Sequence, residues 1–347
     1  MKRLPFVLKQ WTRTIWSAGT ARKIWDPRIL KIYDMWRDIE NLTVLEGARN
    51  GCLTFIAPED LPKLTKWGTD NDLVILPMER GQSTKQYANG AIPYEDGKPW
   101  HYRVIVTRKK YVDAWYECAY ETQSDNKMIG ELLGYPKCCC KFFDDYWIDL
   151  GYKDTTWPMA INSNGHNIND DSIYEIDIKD PYWECNILWR WMGIRLGMWL
   201  PCSFKCDATR EKVTELVDIA CDHGYTEVVG WSKEIFSWPL EWSALHGIAE
   251  IVTPFLKVST TTDATAKKYI VRYHGDSYPD EGATGIVFPY RKAKNNPVTE
   301  GKAFQRAFDV PLPPRAPSSP GVLSSVSEPK SSLSDENDWL HNGFASK

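Results

Sequence analysis

The clearest helical periodicity lies between residues 207 and 223, where Val213, Leu216, Val217 and Ala220 share one face and Gly224 closes the run. Asp207 stands ready as its N-cap. A second helix is predicted to open at Asp26, with Pro27 in its first turn, and to carry Ile29, Ile32, Tyr33, Trp36 and Ile39 inward. Further helices are expected over 58–67, 113–120 and 127–133, the last stopped by Gly134, then over 136–150 and 181–197. Short β-rich runs fall at 52–56, 72–76 and 102–106, and again at 251–259 and 268–273. Two stretches read as long loops: the polar 82–100, and 151–181, rich in Asn and Asp and carrying His166. The pattern predicts an α+β fold, a mixed sheet with several packed helices.

Beyond Asn295, prolines and serines replace large apolar residues, so residues 295–347 are expected to form a disordered C-terminal tail. Trp339, Leu340 and Phe344 near its end would suit docking to a protein partner. At the other end, residues 1–25 interleave Lys2, Arg3, Lys9, Arg13, Arg22 and Lys23 with Trp11, Trp16 and Trp25. Such a basic aromatic arm either lies on phosphate or a membrane surface, or packs its tryptophans on the body. The body itself is assigned to 26–294. A net charge of −4 gives the whole chain no footprint for nucleic acid, which leaves the arm as the place where one would bind. No apolar run approaches the roughly 20 residues of a membrane span. Met1-Lys2-Arg3 and the short apolar stretch after it are broken by Pro5 and end at Lys9, so export is not expected.

Nine cysteines change the picture most. Their number is odd and Cys138, Cys139 and Cys140 are consecutive, an arrangement unlike a disulfide framework and suited to the reducing cytoplasm. Cys52, Cys118, Cys185 and Cys221 sit singly in strand or helix patterns and read as core. The other five fall in two runs, 133–143 and 201–206, each placed where a helix begins. A helix N-terminus favours thiolate over thiol. The two runs are therefore expected to meet, with Cys138, Cys139, Cys202 and Cys206 as ligands of zinc or an iron–sulfur cluster. Three cysteines with an open position would suit catalysis, whereas four would close the site. The adjacent Cys138 and Cys139 diverge by about 100° on a helix, which leaves open whether one site uses both.

The run Leu133-Gly134-Tyr135-Pro136-x-Cys138-Cys139, taken with Pro201-Cys202-Ser203-x-x-Cys206, resembles a family found in microbes and their viruses that has no established activity. The likeness spans about 130–275 and has a departure at Cys140, which makes a triplet where the family has two cysteines. It implies that the cysteines matter and brings no catalytic residues with it.

His246 and Glu250 would form an i, i+4 pair if their segment were helical, and Glu241 and Asp263 could supply carboxylates to a pocket. His246, Glu241 and Asp263 are the catalytic candidates. Phosphate-binding glycine loops, the G-x-S-x-G elbow and H-E-x-x-H are all missing, which disfavours nucleotide hydrolysis and zinc proteolysis. The expectation is a cysteine-ligated metal or iron–sulfur protein, an enzyme acting on a small molecule or nucleotide. The alternative is a non-catalytic, zinc-stapled interaction protein.

Overall fold

The computed structural model describes residues 12–17, 19–82, 96–121, 125–151, 154–245, 247–253, 256–261 and 269–277. The expected tail at 295–347, the arm before Thr12, and the candidates His246 and Asp263 lie outside the described residues.

The first helix, α1, runs Gly19–Leu45 and begins well before Asp26. Pro27 lies inside it, where the missing N–H forfeits one helical hydrogen bond. Packing makes up for that loss. Ala21 and Trp25 in the preceding turns are wholly buried, and Trp25 meets Trp238 edge-on at 4.5 Å. Asp26 does not cap the helix, because its carboxylate is taken by Arg22 at 3.0 Å. The described part of the arm thus joins the body: Trp25 is buried in the core and Thr12–Trp16 forms strand β1.

Two sheets frame the chain. The smaller has the order β2-β4-β3 and is antiparallel throughout, built from β2 (Gly51–Ile56), β3 (Leu73–Gln82) and β4 (Trp100–Arg108). Helix α2 (Leu61–Asp70) connects β2 to β3. The larger has the order β1-β8-β7-β6-β9-β5. It contains β5 (Glu175–Ile178), β6 (Leu240–Leu245), β7 (Ile248–Val252), β8 (Leu256–Thr261) and β9 (Tyr269–Tyr273). Only its β5–β9 pairing is parallel, so the sheet is mixed and the α+β reading holds. The main core lies between this sheet and the helices, with Trp242, Ile251, Val258 and Val271 meeting Trp189, Ile235 and Ile29.

Helices α3 (Val112–Tyr116) and α4 (Asn126–Leu132) pack on the smaller sheet through Trp115, Leu132 and Ile105. Asp125 caps α4 by accepting the Met128 N–H at 2.9 Å. Gly134, at φ +67°, ends the turn after α4 and hands the chain to α5 (Lys137–Phe142), which continues as a wider π-helical turn over Phe143–Asp149.

Two further segments differ from the sequence reading. The stretch 151–181 is not one loop: it holds helix α6 (Thr156–Asn164) and β5. Six successive residues of α6, Thr156 to Ile161, are buried, so no polar face announces a helix. Residues 181–197 are not a long helix but two short 3₁₀ turns, Trp183–Cys185 and Leu188–Met192. The break has a cause in Asn186, whose buried amide accepts the Leu188 N–H at 3.0 Å and donates to the Phe236 carbonyl at 2.8 Å. Helix α7 (Asp207–Asp222) follows and matches its periodicity; α8 (Thr226–Phe236) covers the next part of the core.

One buried charge network ties these parts together. Arg190 donates to Asp154 at 3.0 Å and to Thr156 Oγ1 at 2.9 Å, while Tyr269 donates to the other Asp154 oxygen at 2.6 Å. Trp242 in turn donates to Tyr269 at 3.1 Å. Every member is bonded, the condition under which a buried ion pair is tolerated.

Candidate metal centre

The two cysteine runs meet. Cys138 and Cys139 come from the first turn of α5; Cys206 sits at the N-terminal end of α7, and Cys202 lies in the turn that leads to it. The four sulfurs all lie within 4.8 Å of one another. Cys138 Sγ is 3.6 Å from Cys206 Sγ and 3.9 Å from Cys139 Sγ, and Cys139 Sγ is 3.8 Å from Cys206 Sγ. The adjacent pair thus brings both its sulfurs into the one cluster. Cys140 is turned the other way, with its sulfur 3.9 Å from the Tyr135 carbonyl and packed on Gly130. The triplet is two candidate ligands and one packing residue.

The frame around the sulfurs is specific. Cys206, and not Asp207, is the N-cap of α7: its Sγ accepts the Thr209 N–H at 3.4 Å, while Asp207 accepts the Tyr182 hydroxyl at 3.0 Å. Thr209 Oγ1 lies 3.2 Å from Cys139 Sγ and receives the Trp199 indole N–H at 3.1 Å. The turn that carries Cys202 is held by α6, since Asn162 donates to the Cys202 carbonyl at 3.1 Å and Ser163 Oγ accepts the Phe204 N–H at 2.8 Å. The buried Cys185 donates its thiol to the Cys206 carbonyl at 3.5 Å. Of these supporting residues the sequence points only to Asp207, as a cap, and Cys185, as core. Among the others Thr209 alone carried a signal, standing three residues after Cys206 at the capping position of a helix.

Charge gathers unevenly on the cluster. Thiol donation from Cys139 and then Cys202, with the Thr209 contacts, outweighs burial and holds Cys206 far below the ordinary thiol range. Cys139 is pushed far up by its hydrogen bonding with Cys202 and Cys206 and then by burial. Burial, followed by the neighbouring Cys206, raises Cys138. The protein alone therefore stabilises a thiolate at Cys206, aided by the positive end of the 16-residue α7. A divalent cation among the four sulfurs would ionise the others.

The carboxylate candidates stand apart from this cluster. Glu241 lies on β6 and accepts Arg272 Nε at 3.0 Å, an ion pair on the sheet. Glu250 is on β7 and pairs with Lys257 at 2.7 Å, so the helical i, i+4 relation to His246 does not arise: 240–252 is a β-hairpin turning at Gly247. His166 is exposed just beyond α6. No described helix is long and apolar enough to cross a membrane.

No protein-family model matches the chain, and no curated protein or solved structure is similar enough to count as a match.

Proposed function

We propose that this chain is a metal-binding protein in which Cys138, Cys139, Cys202 and Cys206 hold one tetrahedral ion, zinc. The observation that carries this reading is the sulfur spacing. Zn–S bonds of about 2.3 Å at tetrahedral angles set sulfurs about 3.8 Å apart, against 3.6, 3.8 and 3.9 Å among Cys138, Cys139 and Cys206, with Cys202 bringing all four within 4.8 Å. An iron–sulfur cluster places several irons between its thiolates and spreads them wider. Four thiolates on one ion leave no position for substrate, so the site supports a structural staple more than a catalytic metal. The staple would join α5 to α7 and the turn held by α6. On this reading the protein is the metal-stapled type rather than an enzyme acting through the metal.

The same ligand set would explain the two motifs shared with the microbial and viral family, since each motif supplies two of the four sulfurs. Nine free cysteines, four of them converging, suit a reducing compartment such as the cytoplasm. Anaerobic purification followed by metal analysis and a visible spectrum tests the assignment. One zinc per chain and a colourless protein are expected. Stoichiometric iron with sulfide and absorbance near 400 nm would replace zinc by a cluster, and a metal-free protein that takes up no added zinc would remove the site.

A further inference from the structure

The four sulfurs of the proposed zinc site are unequally covered. Cys139 and Cys206 are only 2% and 6% exposed and Cys202 is half-buried, whereas Cys138, in the first turn of α5, is exposed. A small solute in water therefore reaches one member of the set and not the buried pair. Coordination by a cation keeps cysteine ionised, and the thiolate is the form that attacks peroxides.

The cluster also holds a partner for the product of such an attack. Cys206 Sγ lies 3.6 Å from Cys138 Sγ, so a disulfide bond of about 2.05 Å needs the two sulfurs to approach by about 1.5 Å. Cys139 Sγ is near as well, at 3.9 Å, but belongs to the next residue in the chain. Consecutive Cα atoms stand about 3.8 Å apart across a trans peptide, below the roughly 4.4–6.8 Å that a disulfide spans. Cys140 is turned away, toward the Tyr135 carbonyl. The geometry thus favours Cys206 as the residue that closes a bond to Cys138.

We propose that Cys138 is an oxidation site for hydrogen peroxide, and that the product is a Cys138–Cys206 disulfide with release of the ion. This rests on the zinc reading above. The Cys138 thiolate attacks one peroxide oxygen; the O–O bond breaks, and the departing hydroxide takes up a proton to give water and a sulfenic acid on Cys138. The Cys206 thiolate then attacks the Cys138 sulfur, the S–S bond forms as the S–O bond breaks, and the second hydroxide is protonated to water. The two sulfurs together lose two electrons and the peroxide gains two. Cys139 and Cys202 alone are too few to hold a tetrahedral ion. Helices α5 and α7 stay joined, by a covalent bond in place of the ion. The turn that carries Cys202 loses its tie to α5 and keeps its bonds to Asn162 and Ser163 of α6. The staple is in this way a peroxide switch on the anchorage of that turn.

The full chain, purified anaerobically and with its zinc content measured first, is treated with one equivalent of hydrogen peroxide. Zinc release is followed with an indicator too weak to strip the reduced protein, thiols are titrated after unfolding, and disulfides are located by mass spectrometry of peptides. Loss of the zinc, a fall of two from the nine free thiols and a crosslink between Cys138 and Cys206 are expected, all reversed by dithiothreitol with added zinc. Cys140→Ala combined with Cys221→Ala removes two partly exposed thiols outside the cluster and should leave the release unchanged. Zinc retained after peroxide, zinc lost with a crosslink at another pair or with none, or release abolished in the double variant would each overturn the inference and leave the zinc assignment standing. A chain that neither holds nor takes up zinc before peroxide would overturn both.

Discussion

Trp199 and Thr209 meet in a buried hydrogen bond of 3.1 Å beside the cysteine cluster. An indole N–H can only donate, so Thr209 Oγ1 accepts it and keeps its own proton free for Cys139 Sγ at 3.2 Å. Its backbone N–H meanwhile reaches Cys206 Sγ at 3.4 Å. One residue, 1% exposed, steadies two of the four sulfurs.

Replacing Thr209 by valine keeps the shape and removes the hydroxyl. Partners of this kind orient ligands, and their loss commonly costs about 10- to 100-fold in metal affinity. The Trp199 N–H also loses its acceptor, a buried unsatisfied donor costing about 1–3 kcal/mol. Competition for zinc with a chromophoric chelator should show the weakened affinity in Thr209→Val, and equal affinities would reduce Thr209 to a packing residue.

Cys140 and Gly130 are fitted to each other. A β-carbon at position 130 would stand 2.6 Å from Cys140 Sγ, so Gly130→Ala forces the thiol or α4 to move. Overpacking of this kind costs about 1–3 kcal/mol. Cys140→Ala should leave the zinc content unchanged and should rescue Gly130→Ala in the double variant. The coupling is read from urea midpoints in a double-mutant cycle. Additive effects would show that the two side chains do not meet, and loss of zinc in Cys140→Ala would make Cys140 a ligand after all.

The parts of this fold that could be read in the sequence are those whose burial is periodic. Helix α7 shows its face through Val213, Leu216 and Ala220, and the strands around Leu53 and Ile105 stand out by their β-rich runs. The meeting of the two cysteine runs was legible because clustered thiols at helix starts serve chemistry better than packing. Elements buried on every side left no such trace. Helix α6 is buried over its first six residues, and the tryptophan-rich turns at 183–192 mimic a helix until the amide of Asn186 interrupts them. The early start of α1 was hidden because Pro27 reads locally as a beginning, whereas burial of Trp25 carries the helix through it. The pair at 246 and 250 misled because a spacing of four suggests a helix, while Glu250 lies on a strand of a hairpin.

Removing the metal should loosen the protein without dissolving it. Helix α7 keeps Val213, Leu216 and Ala220 in the main core whether or not Cys206 holds an ion. A ligand present at a thousand times its Kd adds about 4 kcal/mol to the folded state. At about 2–4 °C per kcal/mol for a body of this size, the melting midpoint should fall by roughly 8–16 °C on stripping with a chelator, with cooperativity retained. Cys206→Ala should melt near the stripped protein and somewhat below it, having lost the α7 cap as well. Melts followed by circular dichroism check both. A chain unfolded at 25 °C without metal would show that the staple is required for folding, and a stripped protein that melts unchanged would show that the ion stabilises nothing.

His101 gives the smaller sheet a pH dependence of definite sign. It lies on β4 opposite Gly81 of β3, with Phe55 of β2 edge-on at 4.8 Å, and only 9% of it is exposed. Burial lowers its pKa below the usual 6.5, against the opposing pull of the nearby Glu79 carboxylate. Folding therefore favours the neutral ring, and the unfolded chain takes up the proton first. The stability His101 contributes is complete above about pH 6.5 and is lost as pH falls from there through the folded value, at a slope of at most about 1.4 kcal/mol per pH unit. Urea unfolding at pH 7.5 and pH 5.5 should show a larger loss for the wild-type chain than for His101→Gln, which cannot titrate. Parallel losses in the two proteins would assign the acid sensitivity to other groups.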